Sequence, residues 1–370
     1  MVIIVVNKDD LALIVMESSN GFGISVDKKL SKLRKVGKSY ITDISEVHFS
    51  NGEGKIVINK SIRNKDVYIL TDVYNHSITY QMHGKENHIS PKEHFVDILS
   101  LISAIKNHAR SVTVVMPMLY ASRQHKRKGR ESSDCALALK IIESLGVKCI
   151  ITFDVHDPNV ENAIPLLPFE NFYPTKNIVM KMVENKEIDF NNLLVVSPDT
   201  GAMDRARYYA DILKTDVGMF YKRRDLSKVV NGRNPIVAHE YLGQNVEGKD
   251  IVIVDDMISS GESILEVCEH LKKMKANNIY LVATFALFDK GLDNFNKAYE
   301  KGWFKKLYST NLSYVNPTIL EKEWYVSVDM SLYLAQIINT LNKEKPISPL
   351  LYDKQEVYEA LENVKNKKNE

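Results

Sequence analysis

Residues Ile251 to Ser263, Ile-Val-Ile-Val-Asp-Asp-Met-Ile-Ser-Ser-Gly-Glu-Ser, constrain the fold more than any other stretch of this chain. Four β-branched residues run into two adjacent carboxylates. A Ser/Gly turn follows, and then Ile264, Leu265, Val267, Cys268, Leu271 and Met274 recur at helical spacing. The pattern predicts a buried parallel strand, a tight loop and a helix. In such a unit the loop N–H groups and the helix N-terminus converge on one spot, which suits a phosphate. Asp255 and Asp256 fall at the carboxyl end of the strand, where open α/β sheets bind ligands. They can accept hydrogen bonds from vicinal sugar hydroxyls or hold a divalent cation. A phosphate site beside a diol site describes a cradle for ribose 5-phosphate. The plain alternative is a parallel strand that happens to end in two acids before a capped helix.

The rest of the chain sets limits on the partners. Its 370 residues suffice for two domains with separate cores. A formal net charge of +2 leaves no global basic field for nucleic acid. Cys135, Cys149 and Cys268 are widely spaced in apolar patterns and read as reduced core thiols of a cytoplasmic protein. The apolar N-terminus, residues 1–7, lacks a basic flank and reads as a strand, not a signal peptide. No apolar run reaches membrane-spanning length.

Strand and helix patterns alternate along the chain. Residues 1–60 read as strands and turns: Leu11–Met16, Tyr40–Phe49 and Lys55–Asn59. A strand at Val67–Thr71 follows, then a helix from Ser90-Pro91 to about Ala109, a strand at Val112–Met116, a helix over Asp134–Leu145 and a strand at Lys148–Phe153. The second half repeats the pattern, with strands at Leu193–Val196, Val217–Tyr221 and Ile279–Phe285 and a helix at 332–342. Residues 225–249 read as a long loop. Such alternation implies parallel sheets with right-handed crossovers.

Five further stretches carry chemistry. Phe49-Ser-Asn-Gly-Glu53 is a turn by composition. Arg123-Gln-His-Lys-Arg-Lys-Gly-Arg130 gathers cations in a loop after a strand. Asp154-Val-His156 and Ser197-Pro-Asp199, the latter with Arg205 and Arg207 beyond it, also follow strands. Lys222-Arg223-Arg224 opens the long loop. Taken singly, each is as readily a solvated charge run, a capped helix or a structural histidine.

Their order along the chain is the stronger signal. Together with the 251–263 unit, these stretches resemble the ribose-phosphate pyrophosphokinase (PRPP synthetase) family, over roughly residues 40 to 345. The resemblance implies an α/β fold of two phosphoribosyltransferase-like domains, each a mainly parallel sheet flanked by helices. Residues 1–168 would form the first domain with the ATP motifs, 169–331 the second with the sugar-phosphate loop. Residues 332–370 would be a helical segment returning to the first domain. It implies transfer of the diphosphoryl group of Mg·ATP to the C1 hydroxyl of ribose 5-phosphate. Phe49, Asn51, Glu53, Arg123 and Gln124 would bind ATP, with the adenine lent across a subunit interface. His156 and Asp199 would engage Mg²⁺, and Lys222 and Arg224 would stabilise the transition state. Asp255 and Asp256 would take the ribose hydroxyls, and Ser259, Ser260, Gly261, Glu262 and Ser263 the 5-phosphate. The implied assembly is a homo-oligomer built from dimers, up to a hexamer, acting in the cytoplasm without nucleic acid or membrane.

The chain departs from the family pattern at named positions. Ser259 replaces a usual Asp, Glu262 a small residue, Asn51 an Asp, His125 an acid, and Leu166 a further acid. Ser259 and Glu262 support a second expectation, a weak or inactive regulatory paralogue. A phosphoribosyltransferase that consumes PRPP is a third, disfavoured because it needs no ATP motifs.

Overall fold

The computed structural model describes residues 10–127, 129–224, 236–352 and 354–367. The expected strand at 1–7 lies outside them. The chain forms two compact units. One comprises Met1–Tyr173, Asn311–Tyr314 and Asp329–Tyr352, and the other Pro174–Thr310, Val315–Val328 and Asp353–Glu370. The division expected at residues 168 and 331 therefore moves. The first unit reclaims 311–314, and the last helix, Gln355–Lys367, counts with the second unit and not the first.

The first unit is a five-stranded parallel sheet in the order β1-β4-β7-β8-β9. Its elements begin with β1 (Leu11–Val15), α1 (Asn20–Arg34), and the hairpin β2 (Ile44–His48) and β3 (Gly54–Ile58). Next come β4 (Asp66–Leu70), a small hairpin of β5 (Thr79–Met82) and β6 (Lys85–His88), and α2 (Pro91–Ile105). β7 (Ser111–Val115), α3 (Asp134–Ser144), β8 (Cys149–Phe153) and β9 (Phe169–Phe172) complete it. Ile14, Ile69, Val114 and Ile150 from four neighbouring strands meet in its core. The helix α2 begins where expected. The Ser90 side chain accepts from the Glu93 N–H, and the Glu93 carboxylate accepts from the Ser90 N–H. It ends at Ile105, four residues before the expected limit.

The helix α1 is a correction to the strands and turns expected over 1–60. Its apolar stripe is thin, with Ile24 and Leu33 exposed and only Gly23, Val26, Asp27 and Leu30 buried. Packing replaces the stripe. A Cβ at Gly23 would stand 2.3 Å from Val15 Cγ1, so glycine is what lets the helix lie on β1. Its last residue, Arg34, donates to Asn339 (2.9 Å) and Asn342 (2.6 Å) of the helix Ser331–Asn342.

Glu46 on β2 is half-buried and accepts the Glu17 N–H at 2.6 Å. Burial first, and then the charge of Asp97, raise its carboxyl to about 7 against the pull of that hydrogen bond. The folded state thus holds the proton more tightly than the unfolded chain does. The contribution of Glu46 to stability is full below about pH 4.5 and is lost as pH rises through about 7. Glu46→Gln keeps the acceptor and removes the charge. It is expected to raise stability at pH 8 by on the order of 1 kcal/mol and to leave it unchanged at pH 4.5, read from melting curves across that range. Equal shifts at both pH values would refute the assignment.

The second unit is a seven-stranded sheet in the order β12-β11-β10-β13-β14-β15-β16. Its elements are α4 (Thr175–Glu184), β10 (Leu193–Ser197), α5 (Met203–Leu213), β11 (Val217–Arg224), β12 (Ile236–Leu242), β13 (Asp250–Ile258) and α6 (Glu262–Lys273). β14 (Ile279–Ala286), α7 (Asp293–Glu300), β15 (Lys306–Thr310), α8 (Pro317–Leu320) and β16 (Tyr325–Val328) follow. All pairings are parallel except β11 with β12. β12 is a second correction, because it lies inside the expected loop 225–249. Residues 225–235 of that loop lie outside the described residues. The central strands β13 and β14 are buried almost throughout, as a sheet covered on both faces requires. Cys135 and Cys268 are buried and Cys149 is half-buried, and all three are free thiols, as expected.

Candidate active site

In the first unit two loops at the carboxyl edge of the sheet come together. After β7 the chain turns through Ala121, whose left-handed φ of 53° opens a short helix at Ser122–Gln124 carrying Arg123 and Gln124. After β8 it turns through buried Asp154, at φ 43°, into His156. Left-handed non-glycine residues are strained and recur at functional sites. The rings of His125 and His156 stand 5.5 Å apart. His125 Nε2 lies 3.0 Å from Asp157 Oδ2, without hydrogen-bond alignment, and Lys126 Nζ lies 3.6 Å from the same oxygen. Burial alone would raise the Asp157 carboxyl. Its bonds from Asn159, with the charges of His125 and Lys126, turn the net shift downward. Asp157 thus brings a carboxylate to the Arg-Gln loop from across the gap between the loops.

Phe49, Asn51 and Glu53 form the tip between β2 and β3. Phe49 N–H donates to the Glu53 carbonyl at 2.7 Å, and the Asn51 side chain bonds both the Glu53 N–H and carboxylate. Phe49 is 42% exposed, with Lys55 Nζ over its ring at 5.7 Å. This leaves an aromatic face open for stacking. Leu166, at the position of another missing acid, is 91% exposed.

In the second unit Asp199 follows β10, and its Oδ1 accepts the N–H groups of Gly201 (2.8 Å) and Ala202 (3.2 Å). β10 pairs with β13, so this loop and Asp255 share one edge of the sheet. Asp255 and Asp256 sit within β13, not beyond its end. Burial, then the neighbouring Asp256 carboxylate, hold the Asp255 carboxyl well above the usual range, and the Arg205 guanidinium opposes them. Asp199 adds to the crowding. Four charged residues from two distant motifs therefore form one electrostatic cluster.

The loop Ser259–Ser263 leads into α6. Gly261 adopts φ 77°, and a Cβ there would lie 2.2 Å from Phe295 Cζ. Ser259 Oγ donates to Asp289 Oδ2, and the Asp289 N–H returns a bond to the Ser259 carbonyl at 3.2 Å. Lys290 Nζ donates to Glu262 Oε1 at 3.0 Å. Sequence reading missed Asp289, Lys290 and Asp157. The one available signal was position, since Asp289 and Lys290 lie just past the carboxyl end of β14. Lys222 and Arg224 end β11, opposite His239 and Ile236 of β12, and their side chains lie outside the described residues. Among the described residues no group of three or more His, Cys, Asp or Glu side chains could hold a metal ion. No helix among them is long and apolar enough to cross a membrane.

Two α/β units, one with an Asp-Asp strand running into a phosphate-type loop, define a protein with two phosphoribosyltransferase-type domains. Residues 11–146 match the N-terminal domain of ribose phosphate pyrophosphokinase, and residues 174–320 match the phosphoribosyl transferase domain. Ribose-phosphate pyrophosphokinase 1 of Streptococcus pneumoniae serotype 4 is 28% identical over 346 residues, 92% of this chain and 97% of its own. The ribose-phosphate pyrophosphokinase of Oceanobacillus iheyensis is 30% identical over 239 residues, 64% of this chain and 67% of its own. The fold is also that of a phosphoribosylpyrophosphate synthetase crystal structure from Mycobacterium smegmatis. The TM-score is 0.74 at 20% identity, covering 90% of this chain and 99% of that one. The chain belongs to the ribose-phosphate pyrophosphokinase family, a family of enzymes.

Proposed function

We propose that the protein makes PRPP and AMP from Mg·ATP and ribose 5-phosphate. The observation that carries this reading is the second unit's cluster. Half-buried Asp255 and buried Asp256 crowd each other's charge and, with Arg205 nearby, run directly into the loop 259–263 at the N-terminus of α6. Carboxylates that repel each other in a buried site gain when hydroxyl donors or a cation arrive. The adjoining N–H groups suit a phosphate.

The donor set fits Mg²⁺. It offers hard carboxylate oxygens in a charge-crowded cluster, and Mg²⁺ commonly takes only one or two carboxylates plus substrate phosphates. Asp199 would be the protein oxygen donor, with His156 engaging the ion's shell or the phosphates. The ion would supply neutralising charge on the phosphates. The residues of the chain do the rest. Phe49 stacks the adenine, and Arg123 and Gln124 orient the phosphates. Asp255 and Asp256 accept from the ribose hydroxyls, leaving the anomeric hydroxyl to react. Its oxygen forms a bond to the β-phosphorus and gives up its proton to solvent, the bond from that phosphorus to the α-bridging oxygen breaks, and AMP leaves. Lys222 and Arg224 stabilise charge developing on the transferred group. No protein nucleophile is required. We extend the proposal to a cytoplasmic homo-oligomer in which the exposed Phe49 hairpin serves a neighbouring subunit.

Purified protein given ATP, Mg²⁺ and ribose 5-phosphate is expected to form AMP and PRPP in equal amounts. Absence of both, with ATP still bound, would favour the regulatory reading that Ser259 and Glu262 motivate. The contacts of Ser259 with Asp289 and of Glu262 with Lys290 weigh against that reading, since they restore an acid and neutralise a charge at the altered positions. A further expectation concerns the first unit. Asp157→Ala removes the partner of His125 and Lys126, freeing the Arg-Gln loop. It should raise KM for ATP about tenfold by loss of preorganisation and leave KM for ribose 5-phosphate unchanged. Equal changes in both constants would contradict it.

A further inference from the structure

The sugar-phosphate loop has a neighbour that its own sequence does not announce. The segment after β14 is tied to the loop at several points. Leu287 N–H donates to the Ile258 carbonyl at 2.8 Å, Asp289 N–H donates to the Ser259 carbonyl at 3.2 Å, and Ser259 Oγ donates to Asp289. These bonds fix the backbone of Lys290 beside the loop. The Lys290 ammonium then reaches Glu262, the first residue of α6, at 3.0 Å.

Both ends of this ion pair are open to solvent, with side chains 61% and 62% exposed. An exposed pair adds little to folding. Its placement matters more. Glu262 puts a carboxylate at the N-terminus of α6, where the N–H groups converge and where a phosphate dianion is proposed to sit. Two anions at one helix end repel. A lysine carries a compact charge on a flexible four-carbon stem and can move between oxygen acceptors without rearranging the backbone. The Ser259–Asp289 bonds anchor the backbone beside Lys290, and its long side chain can turn without moving that backbone.

We infer that Lys290 is a substrate-binding residue that rests on Glu262 in the free protein and contacts the 5-phosphate of the bound sugar. This rests on the reading of the loop as the ribose 5-phosphate site and deepens it. Glu262 then acts as a parking place that is vacated on binding, and the loop selects phosphorylated sugars by a cation outside its own motif.

The test compares the binding of ribose 5-phosphate with that of ribose, by calorimetry on the full-length protein, for wild type, Lys290→Ala, Glu262→Ala and the double variant. Lys290→Ala should weaken ribose 5-phosphate about tenfold, as loss of a charge-assisted contact does, and leave ribose unchanged. Glu262→Ala should tighten ribose 5-phosphate. The decisive comparison is Lys290→Ala on the Glu262→Ala background. A loss of similar size there supports direct contact with phosphate. A loss seen only when Glu262 is present would overturn the inference, because Lys290 would then act only by neutralising the carboxylate. No loss on either background would make the pair a surface contact and nothing more. If wild type prefers ribose 5-phosphate to ribose and Lys290→Ala keeps that preference undiminished, this inference fails while the reading of the loop stands. If wild type shows no preference, both fail.

Discussion

Lys222→Ala is expected to slow AMP formation by on the order of a hundredfold or more, with little change in the binding of either substrate. The argument is electrostatic. Diphosphoryl transfer spreads negative charge over the oxygens of the group in flight, and there is little covalent work for side chains. A cation that meets this charge only in the transition state changes kcat and leaves ground-state affinity nearly intact. Lys222 is the first residue of a three-cation run at the end of β11, at the carboxyl edge of the sheet that also carries Asp255. The measurement is AMP release at saturating ATP and ribose 5-phosphate, together with KM for each. A kcat within a few-fold of wild type would remove Lys222 from the proposed mechanism. Lys222→Arg keeps the charge in a broader planar group, and partial recovery is the expected result.

Gly261→Ala is expected to damage both the loop and the fold around it. Residue 261 holds φ 77°, where a side chain costs about 1–2 kcal/mol. The new Cβ would also stand 2.2 Å from Phe295 Cζ and 2.3 Å from Cε2. Phe295 has nowhere to go. It is fully buried, stacked on Trp324 at 5.8 Å and set edge-on against Phe288 at 4.9 Å. Overpacking of this kind adds about 1–3 kcal/mol. Relief comes only by moving the 259–263 backbone away from Phe295, which spoils the convergence of N–H groups. The expected outcome is a Tm lowered by several degrees and a KM for ribose 5-phosphate raised more than tenfold, with KM for ATP unaffected. A variant that melts and binds like wild type would show that the ring does not hold the loop in place.

Much of the second unit is legible in the sequence. The apolar run, acid pair, small-residue turn and helical stripe of 251–274 are local patterns, and β13 and α6 form where they predict. The parallel α/β class followed from the alternation of such units. β12 was less legible. It is an antiparallel edge strand with an exposed Leu242, and its partner β11 decides it more than its own composition does. The helix α1 escaped because helical apolar spacing was its only local signal, and Gly21 and Gly23 weaken that signal. What forms α1 is the close approach of Gly23 to Val15 and the reach of Arg34 to Asn339 and Asn342, some three hundred residues away.

The candidate site divides along the same line. The sequence by itself determined which residue types stand at the strand ends, because strand, turn and helix signals act over a few residues. Phe49, Arg123, Gln124, His156, Asp199, Lys222, Asp255 and Asp256 were all nameable from it. It also exposed the departures at Ser259, Glu262 and His125. Only the tertiary structure decided what stands beside those departures. It brings Asp289 to Ser259, Lys290 to Glu262 and Asp157 to His125, over separations of about thirty residues in each case. The physical reason is that a carboxylate acts through space. A charge lost at one position can be returned from a neighbouring loop, and which loop is the neighbour is set by sheet order and not by position along the chain.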